Sequence, residues 1–339
     1  MSVRLKDIAA DVGVSIVTVS KVLRNLGRVG PKTRARILKR TKELGYRPNL
    51  SAYSLATGRT FLIGLIVPDL MHPFFAAIAK CVSGSVRALG YSVVISSSEE
   101  DADLERQEIR SLLARRVDAL VIASSQRRPA GRVFKEIEDD GVPYILLDRK
   151  IPGLKAHFVG VDDEAIGILA TEHLIDRGYR RIAHIRGPEL STAEGRLRGY
   201  RRALRRHGYN GSERLIVRIG SSDDRGEECG FDAMQKLLAK RPRPDAVFCY
   251  NDIIAFAAMR AIRSAALNVP QDVAVIGVSN ISKFSPWDTG KVPLSTIDQN
   301  VYRIGDQVAK LALRLIDSGA KAPIERILLP PTLVMRTST

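Results

Sequence analysis

Residues 13–24 read GVSIVTVSKVLR, and this stretch predicts a short amphipathic helix that begins after Ser15, a residue type favoured at helix N-termini. The apolar residues that share one helical face are Val19, Val22, Leu23 and Leu26. Lys21 and Arg24 fall on the opposite face together with Val17, and Ile16 lies at the border. Ile16 by itself fits the edge of a core, but Val17 points outward beside two cations, which indicates a binding surface.

The neighbouring residues extend this helix into a helix-turn-helix pattern. LKDIAADV (5–12) has the i, i+3, i+4, i+7 spacing of one apolar helical face, and Gly13 permits a tight turn. A third helix is predicted from Pro31 to Leu44, followed by Gly45. In helix-turn-helix proteins the start of the second helix meets base edges, where apolar groups contact the thymine methyl and Lys or Arg reads guanine. The pattern therefore predicts a DNA-reading helix.

The charge distribution is uneven along the 339 residues. The first 60 residues hold 13 Lys and Arg against three acidic residues, whereas the rest hold 40 basic and 34 acidic residues. A strongly basic module on a nearly balanced body favours a polyanionic partner such as nucleic acid. A solvated basic surface without a partner is the alternative that charge alone leaves open.

After a short polar segment the chain alternates apolar runs with stretches long enough for helices. The predicted strands are FLIGLIV (61–67), YSVVISSS (91–98), DALVIAS (118–124), VPYILLD (142–148), RIAHIRG (181–187), RLIVRIG (214–220), DAVFCY (245–250) and DVAVIGV (272–278). This βαβα series predicts two parallel sheets with helices outside, and segments near 294–297 and 324–335 are expected to cross between them.

Several function classes lack their sequence signals. The sequence has three separated cysteines, no apolar leader and no apolar run long enough for a membrane span. We therefore expect a cytoplasmic protein without disulfides. There is no Walker A, GxGxxG, GxSxG or HExxH motif, so no catalytic residues, cofactor or metal are predicted. A transport solute-binding protein and an α/β enzyme such as a sugar kinase are the alternatives. The basic N-terminal module and the missing leader oppose the first, and the missing phosphate loop opposes the second.

Several motifs in order resemble the lactose/galactose repressor (LacI/GalR) family. DIAADVGVSIVTVSKVLRN (7–25) and TRARILKRTKELGYRPN (33–49) resemble its DNA-binding headpiece. IGLIVPDLMHPFF (63–75), LLDR (146–149), the long stretch 159–188, GRLRGYRRAL (195–204), NDIIAFAAMRAI (251–262) and VPQDVAVIGV (269–278) continue the match. The resemblance covers the whole chain, and it is specific because several motifs occur together.

The resemblance implies an all-α helix-turn-helix headpiece (1–47), a hinge (48–60) and an α/β core (61–339) like the periplasmic binding proteins. That core has two Rossmann-like subdomains, the first at about 61–160 and 291–322, the second at about 161–290 and 323–339. The implied function is a transcriptional repressor that binds a palindromic operator as a homodimer and responds to a small carbohydrate or sugar acid. A dimer is expected because relatives that form tetramers carry a further C-terminal leucine-heptad tail.

The resemblance also implies particular contacts with DNA. The implied headpiece contacts are Ser15, Ile16, Val17, Thr18, Ser20, Lys21, Arg24 and Asn25. In the family a hinge leucine is inserted into the minor groove at the operator centre, and Leu55 is the matching residue here. A solvent-exposed linker leucine is the alternative for Leu55.

For the effector, family positions place ligand-binding residues at matching motifs. The implied residues are His72, Phe74, Phe75, Asp148, Arg196 and Asn251. Relatives commonly have an acidic residue where this chain has Ser279, and an aromatic residue near the position of Arg225; Trp287 is a possible replacement for that aromatic. Loss of a carboxylate and gain of a guanidinium favour an anionic ligand. Whether Arg225 faces the pocket or solvent stays open from sequence.

Overall fold

The computed structural model describes residues 3–23, 27–46, 54, 57–126, 132–209, 213–220, 226–283, 292–319 and 322–339. The chain divides into two units, Met1–Thr60 and Phe61–Thr339. The boundary coincides with the predicted start of the core. In the described part of the chain, no helix combines the length and apolarity needed to cross a membrane.

The first unit contains the three predicted helices: α1 (Leu5–Val12), α2 (Ile16–Leu23) and α3 (Pro31–Glu43). Gly13 adopts the left-handed conformation, with φ of 68°, that the tight turn between α1 and α2 requires. The small core consists of Ile8, Ala9, Val12, Val19, Val22 and Ile37. On α3, Ile37 is fully buried in this core, whereas its neighbour Leu38 is 44% exposed.

The second unit begins with a six-stranded parallel sheet in the order β11-β5-β4-β3-β1-β2. Its strands are β1 (Leu62–Val67), β2 (Ser92–Ser97), β3 (Ala119–Ile122), β4 (Tyr144–Leu147), β5 (His157–Val161) and β11 (Arg326–Leu329). The connecting helices are α4 (Pro73–Arg87), α5 (Ala102–Ala114) and α6 (Val133–Asp139). Strands β1, β3 and β4 are almost entirely buried, as expected of parallel strands with helices on both faces.

A second six-stranded sheet has the order β12-β10-β9-β8-β6-β7, with only β12 antiparallel. Its strands are β6 (Ile182–Arg186), β7 (Ile216–Arg218), β8 (Ala246–Cys249), β9 (Ala274–Val278), β10 (Ser295–Asp298) and β12 (Thr332–Val334). Within the described residues, the further α-helices of this unit are α7 (Asp163–Asp176), α8 (Ser191–Arg206), α9 (Gly226–Leu238), α10 (Asp252–Ser264) and α11 (Val301–Ser318). All eight strands predicted from apolar runs are present.

The last two crossings between the subdomains lie later in the chain than expected. We expected the first subdomain to resume at 291, but β10 pairs with β9 of the second sheet, so the crossing falls between Asp298 and Val301. We expected the second subdomain to resume at 323, but β11 pairs with β5 of the first sheet, and the chain crosses only at residues 330–331. Both crossing points depend on which strands β10 and β11 pair with, and the sequence of a short strand does not show its partner.

Candidate functional site

The outward face of α2 is the candidate DNA-reading surface. Ser15 lies just before the helix, and its hydroxyl oxygen accepts a hydrogen bond of 3.1 Å from the backbone N–H of Thr18. Val17 and Ile16 are 62% and 49% exposed in the first turn, although both are large and apolar. Lys21 is exposed one turn further along. The structure therefore places two apolar side chains and a cation on one solvent-facing surface.

Polar contacts hold the other two helices of this unit together. Arg36 on α3 donates to the carbonyl oxygen of Val12 at 2.8 Å, which closes the end of α1 against α3. Arg40 pairs with Asp11 of α1 at 2.6 Å. Ser20 and Thr18 are partly exposed on α2. Three further predicted DNA contacts, Arg24, Asn25 and Leu55, lie outside the described residues.

The predicted effector residues meet around one cavity between the two sheets. The seven that the structure describes all line it: His72, Phe74, Phe75, Asp148, Arg196, Asn251 and Ser279. Arg149, Tyr250 and Gln299 complete the wall. The cavity has a volume of only about 30 Å³, whereas ligand pockets typically span several hundred Å³. The cavity in this arrangement is therefore too small for a typical small-molecule ligand. Arg225 and Trp287, also predicted here, lie outside the described residues.

His72 and the two phenylalanines form the apolar side of the cavity. His72 precedes α4, and its Nδ1 accepts a hydrogen bond of 3.3 Å from the backbone N–H of Phe74. The His72 ring lies 5.6 Å from the Phe75 ring. Burial, reinforced by Arg149, lowers the pKa of His72 to about 4, so the imidazole is neutral at pH 7. The neutral ring and the two aromatic faces therefore give this side of the cavity an apolar surface.

Arg196 is fixed from three directions. It projects from α8, and its Nε donates to Asp163 at the start of α7 at 3.1 Å. A second nitrogen donates to the carbonyl oxygen of Tyr250 at 2.7 Å, and the guanidinium lies 4.7 Å from the centre of the Tyr250 ring. Burial raises the pKa of the Asp163 carboxyl, and Arg196 opposes that shift. Asp163 and Tyr250 therefore hold Arg196 in position in the cavity wall.

Gln299 joins the two subdomains at the crossing between Asp298 and Val301. Its side-chain nitrogen donates to Asp148 at 3.5 Å, and its side-chain oxygen accepts from the hydroxyl of Ser279 at 2.9 Å. Asp148 follows β4 of the first sheet, while Ser279 follows β9 of the second. Because the amide bridges both sheets, separation of the subdomains must break one of its hydrogen bonds.

Two residues at the start of α10 position the part of the cavity wall that the second sheet contributes. Asn251 caps the helix, since its side-chain oxygen accepts from the N–H of Ile254 at 2.9 Å. Asp252 accepts from the N–H of Ile281 at 2.8 Å and from the hydroxyl of Thr296 at 2.6 Å. These bonds hold the turn after β9, where Ser279 has an unusual φ of 108°. Asp252 therefore positions Ser279 in the cavity wall.

Arg149 forms a buried ion pair within the first subdomain. Its two terminal nitrogens donate to the two carboxylate oxygens of Glu100, at 2.8 and 2.5 Å. The guanidinium lies 5.7 Å from the centre of the Phe75 ring. Burial disfavours the charged guanidinium, but Glu100 outweighs burial and leaves the pKa of Arg149 above its ordinary value. Arg149 stays charged in the wall of the cavity.

A second cavity of about 480 Å³ lies between the loops after β3 and β4 and the starts of α7 and α8. Its charged residues are Lys150, Asp162, Asp163, Glu164, Glu189, Glu194 and Arg198. Despite these carboxylates, the described ranges contain no group of three or more His, Cys, Asp or Glu residues arranged to hold a metal ion.

Sequence reasoning did not identify Arg149, Tyr250 and Gln299 as cavity residues. Arg149 and Tyr250 are direct neighbours of the predicted Asp148 and Asn251, so adjacency to the end of a strand was a usable signal. Gln299 follows β10, whose four residues carry no recognisable strand pattern, so its position depended on sheet pairing.

Comparison with known proteins identifies the relatives of both units. Residues 4–49 match the family described as "Bacterial regulatory proteins, lacI family", and residues 60–337 match "Periplasmic binding proteins and sugar binding domain of LacI family". The HTH-type transcriptional regulator DegA of Bacillus subtilis (strain 168) is 33% identical over 100% of this chain and 98% of its own length.

Two solved structures are similar over nearly the full chain. The lac repressor dimer bound to operator and the anti-inducer ONPF has a TM-score of 0.82 at 28% identity, covering 100% of this chain and 99% of the other. The transcriptional regulator CelR–cellobiose complex has a TM-score of 0.73 at 29% identity, covering 99% and 100%. With a helix-turn-helix unit, a two-sheet core and family matches to both, the chain belongs to the LacI family of bacterial regulatory proteins.

Proposed function

We propose that this protein is a transcriptional repressor that binds a palindromic operator as a homodimer and changes its DNA affinity when a small carbohydrate or sugar acid binds the cleft. The observation that carries the DNA part is the exposure of Ile16 and Val17 beside Lys21 on a basic module. One headpiece reads a half-site, so a two-fold dimer on a two-fold operator doubles the contacts. Catalysis has no part in this proposal.

The roles of individual headpiece residues follow from their chemistry. Ile16 and Val17 contact base edges, where thymine methyl groups are the apolar features, and Lys21 contacts phosphate or guanine. Ser15, Thr18, Ser20, Arg24 and Asn25 act as further polar contacts. Leu55, by resemblance, is inserted at the operator centre, where unstacking costs a few kcal/mol and bending allows further contacts.

The effector part rests on the polar residues gathered in the cleft. The relatives include a ribose operon repressor of Escherichia coli (strain K12), and the CelR structure contains cellobiose. A ligand that prefers one arrangement of the subdomains shifts the populations of the two arrangements. The sugar-acid alternative depends on Arg225, because both described arginines of the cleft are already paired with carboxylates.

The test is binding of the full-length protein to DNA from the region upstream of its own gene, followed over a range of salt concentrations. We expect a preferred palindromic site, and an affinity that falls linearly on a log–log plot against salt as counterions are released. Equal affinity for that DNA and for a shuffled duplex of the same composition would contradict the repressor function. The periplasmic and enzymatic alternatives predict that equality.

A further inference from the structure

Helix α8 carries a row of arginines along its exposed side. Five arginines at spacings of three and four residues share this side, and we call them the arginine stripe: Arg198, Arg201, Arg202, Arg205 and Arg206. The side chains of Arg202 and Arg206 are 51% and 50% exposed, although both form ion pairs. The stripe therefore presents guanidinium groups to solvent on one face of the second subdomain.

Three glutamates contact the stripe and leave its positive charge in excess. The ion pairs are Arg198–Glu164 at 3.5 Å, Arg202–Glu164 at 3.0 Å, Arg206–Glu172 at 3.5 Å and Arg201–Glu213 at 2.8 Å. Within the described ranges, the guanidinium of Arg205 forms neither an ion pair nor a hydrogen bond. Exposed ion pairs are weak and screened by salt, so the paired arginines can exchange a glutamate for a stronger anionic partner.

The surface of the second subdomain favours nucleic acid over a protein partner. Among the described residues, no large hydrophobic side chain between residues 96 and 301 is exposed. A protein interface has an apolar core inside a polar rim, whereas interfaces with nucleic acid are polar and strongly positive. Residues 156–235 contain thirteen Arg and no Lys. The planar guanidinium group matches phosphate through two parallel hydrogen bonds, so phosphate is the anion that suits the stripe.

The side chains beside the stripe favour a duplex over a single strand. Surfaces that bind single strands carry aromatic side chains on which the bases stack. The exposed side of α8 has no aromatic residue, because its one tyrosine, Tyr200, is buried. The ring of Tyr209, just after the helix, already contacts the Arg180 guanidinium at 5.6 Å. A duplex instead presents its phosphates outward and needs only cations.

We propose that the arginine stripe is a second nucleic-acid surface of this protein, which binds the phosphate backbone of duplex DNA without reading its sequence. The contact is separate from the headpiece and from the effector cleft. It depends neither on the identity of the operator nor on that of the effector.

The test measures DNA binding by the full-length protein with its headpiece surface blocked. Val17→Glu with Lys21→Glu places two carboxylates on the DNA-reading face of α2, and every variant below carries these two changes. The probe is a fluorescent duplex of random sequence, about 30 bp long, followed by anisotropy over about 50–300 mM salt. We expect the blocked protein still to bind this duplex, with an affinity that falls linearly with salt on a log–log plot.

The stripe variant combines Arg202→Gln, Arg205→Gln and Arg206→Gln. It removes three positive charges, while Glu164 keeps Arg198 as a partner. Each lost phosphate contact lowers the log–log slope by about 0.9, so we expect a slope smaller by about 2–3 and binding about tenfold weaker at low salt.

The matched control removes the same charge from exposed positions in the first subdomain, through Arg110→Gln, Arg115→Gln and Lys135→Gln. We expect it to bind the duplex as tightly as the blocked protein does. Urea denaturation checks that all variants fold. Arg205→Gln alone breaks no ion pair among the described residues, and we expect it to lower the slope by about 0.9.

The outcomes separate duplex DNA from other partners. Equal affinities and slopes for the stripe variant and the control would overturn the proposal, and so would failure of the blocked protein to bind the duplex. Poly-L-glutamate is the second probe. If it binds in a stripe-dependent way and the duplex does not, the duplex assignment is wrong and the surface suits an acidic protein. The operator preference of the wild-type protein is measured separately, so the repressor function stands or fails independently of the stripe.

Discussion

Val17 and Val19 are the same residue type two positions apart, but Val17 is 62% exposed and Val19 is fully buried. A helical turn of 3.6 residues puts them on opposite faces. Val19 stabilises the small headpiece core, whereas Val17 contributes nothing to it. An exposed valine in the first turn of the second helix is available to read DNA.

We therefore expect substitution of Ile16 and Val17 to change which operator is preferred, because a well-packed base contact discriminates by about 1–3 kcal/mol. Lys21→Gln is the matched comparison, since loss of a phosphate contact weakens binding to all sequences alike. Selection from random DNA measures both. Recovery of the same site by the Ile16 and Val17 variants would show that these residues do not read bases.

A buried histidine predicts how stability depends on pH. His184 is fully buried, stacked on Tyr200 and Phe248, and its Nδ1 lies 2.9 Å from the Phe248 carbonyl oxygen. Burial lowers its pKa to about 3, partly opposed by that hydrogen bond. As pH falls below about 6.5, the unfolded chain binds a proton at this histidine while the folded protein keeps it neutral. The contribution of His184 to the free energy of unfolding is therefore fully present above about pH 6.5 and is lost progressively towards pH 3.

His184→Gln keeps a donor for the carbonyl group and removes the titration. Between pH 6.5 and 5 we expect the wild type to lose about 2 kcal/mol more unfolding free energy than this variant, measured by urea denaturation. His207→Gln, at a partly exposed histidine, serves as the control. Equal pH slopes for the wild type and His184→Gln would contradict the assignment.

At the scale of elements, the close packing of α7 on α8 positions Arg196. A Cβ at Gly167 would overlap the main-chain carbonyl of Arg196, and one at Gly199 would overlap the carbonyl of Glu164. Because both positions are glycine, the backbones of the two helices can come into direct contact. This approach places Asp163, at the start of α7, within hydrogen-bond distance of Arg196.

Gly167→Ala should therefore force α7 and α8 apart, lowering the unfolding free energy by about 1–3 kcal/mol and weakening sugar binding. Gly84→Ala is the matched control, because a Cβ at this position of α4 meets nothing within 4 Å. The control is expected to stabilise the protein slightly, since alanine favours helix over glycine. Urea denaturation and calorimetry measure both effects, and indistinguishable variants would contradict the helix-contact explanation.

At the scale of the whole molecule, the chain combines a DNA-reading unit and a two-sheet core whose cleft spans two subdomains. The core can act as a switch only if its ligand prefers one subdomain arrangement, which the Gln299 bridge and the Arg196 contacts allow. Three chain segments connect the subdomains, so movement of one sheet relative to the other is constrained to a few hinge positions.

We expect coupling between ligand and operator to be reciprocal. If the tightest-binding sugar weakens operator affinity by some factor, operator DNA must weaken sugar affinity by the same factor, typically 5–150-fold. Fluorescence anisotropy of DNA at varied sugar concentration, and calorimetry of sugar with and without operator, measure the two sides. Unequal factors would show that an additional equilibrium, such as dissociation of the dimer, takes part.

The sequence by itself determined the three headpiece helices, the eight apolar strands and the residues that follow those strands. Helical and strand periodicities are local, so they can be read from a single segment such as 13–24 or 61–67. The motif resemblance implied Asp148 and Asn251 as cleft residues, and both follow parallel strands whose carboxyl ends meet at one edge. The motif resemblance added Arg196 on a helix.

Only the tertiary structure decided the features that depend on pairing between distant segments. The sheet to which β10 and β11 belong, and with it the subdomain boundaries, follows from hydrogen bonds to β9 and β5. The Arg149–Glu100 pair joins residues 49 positions apart, and the Gln299–Asp148 bond spans 151 positions. No local periodicity encodes such contacts, because they arise only when packing brings separate strand ends together.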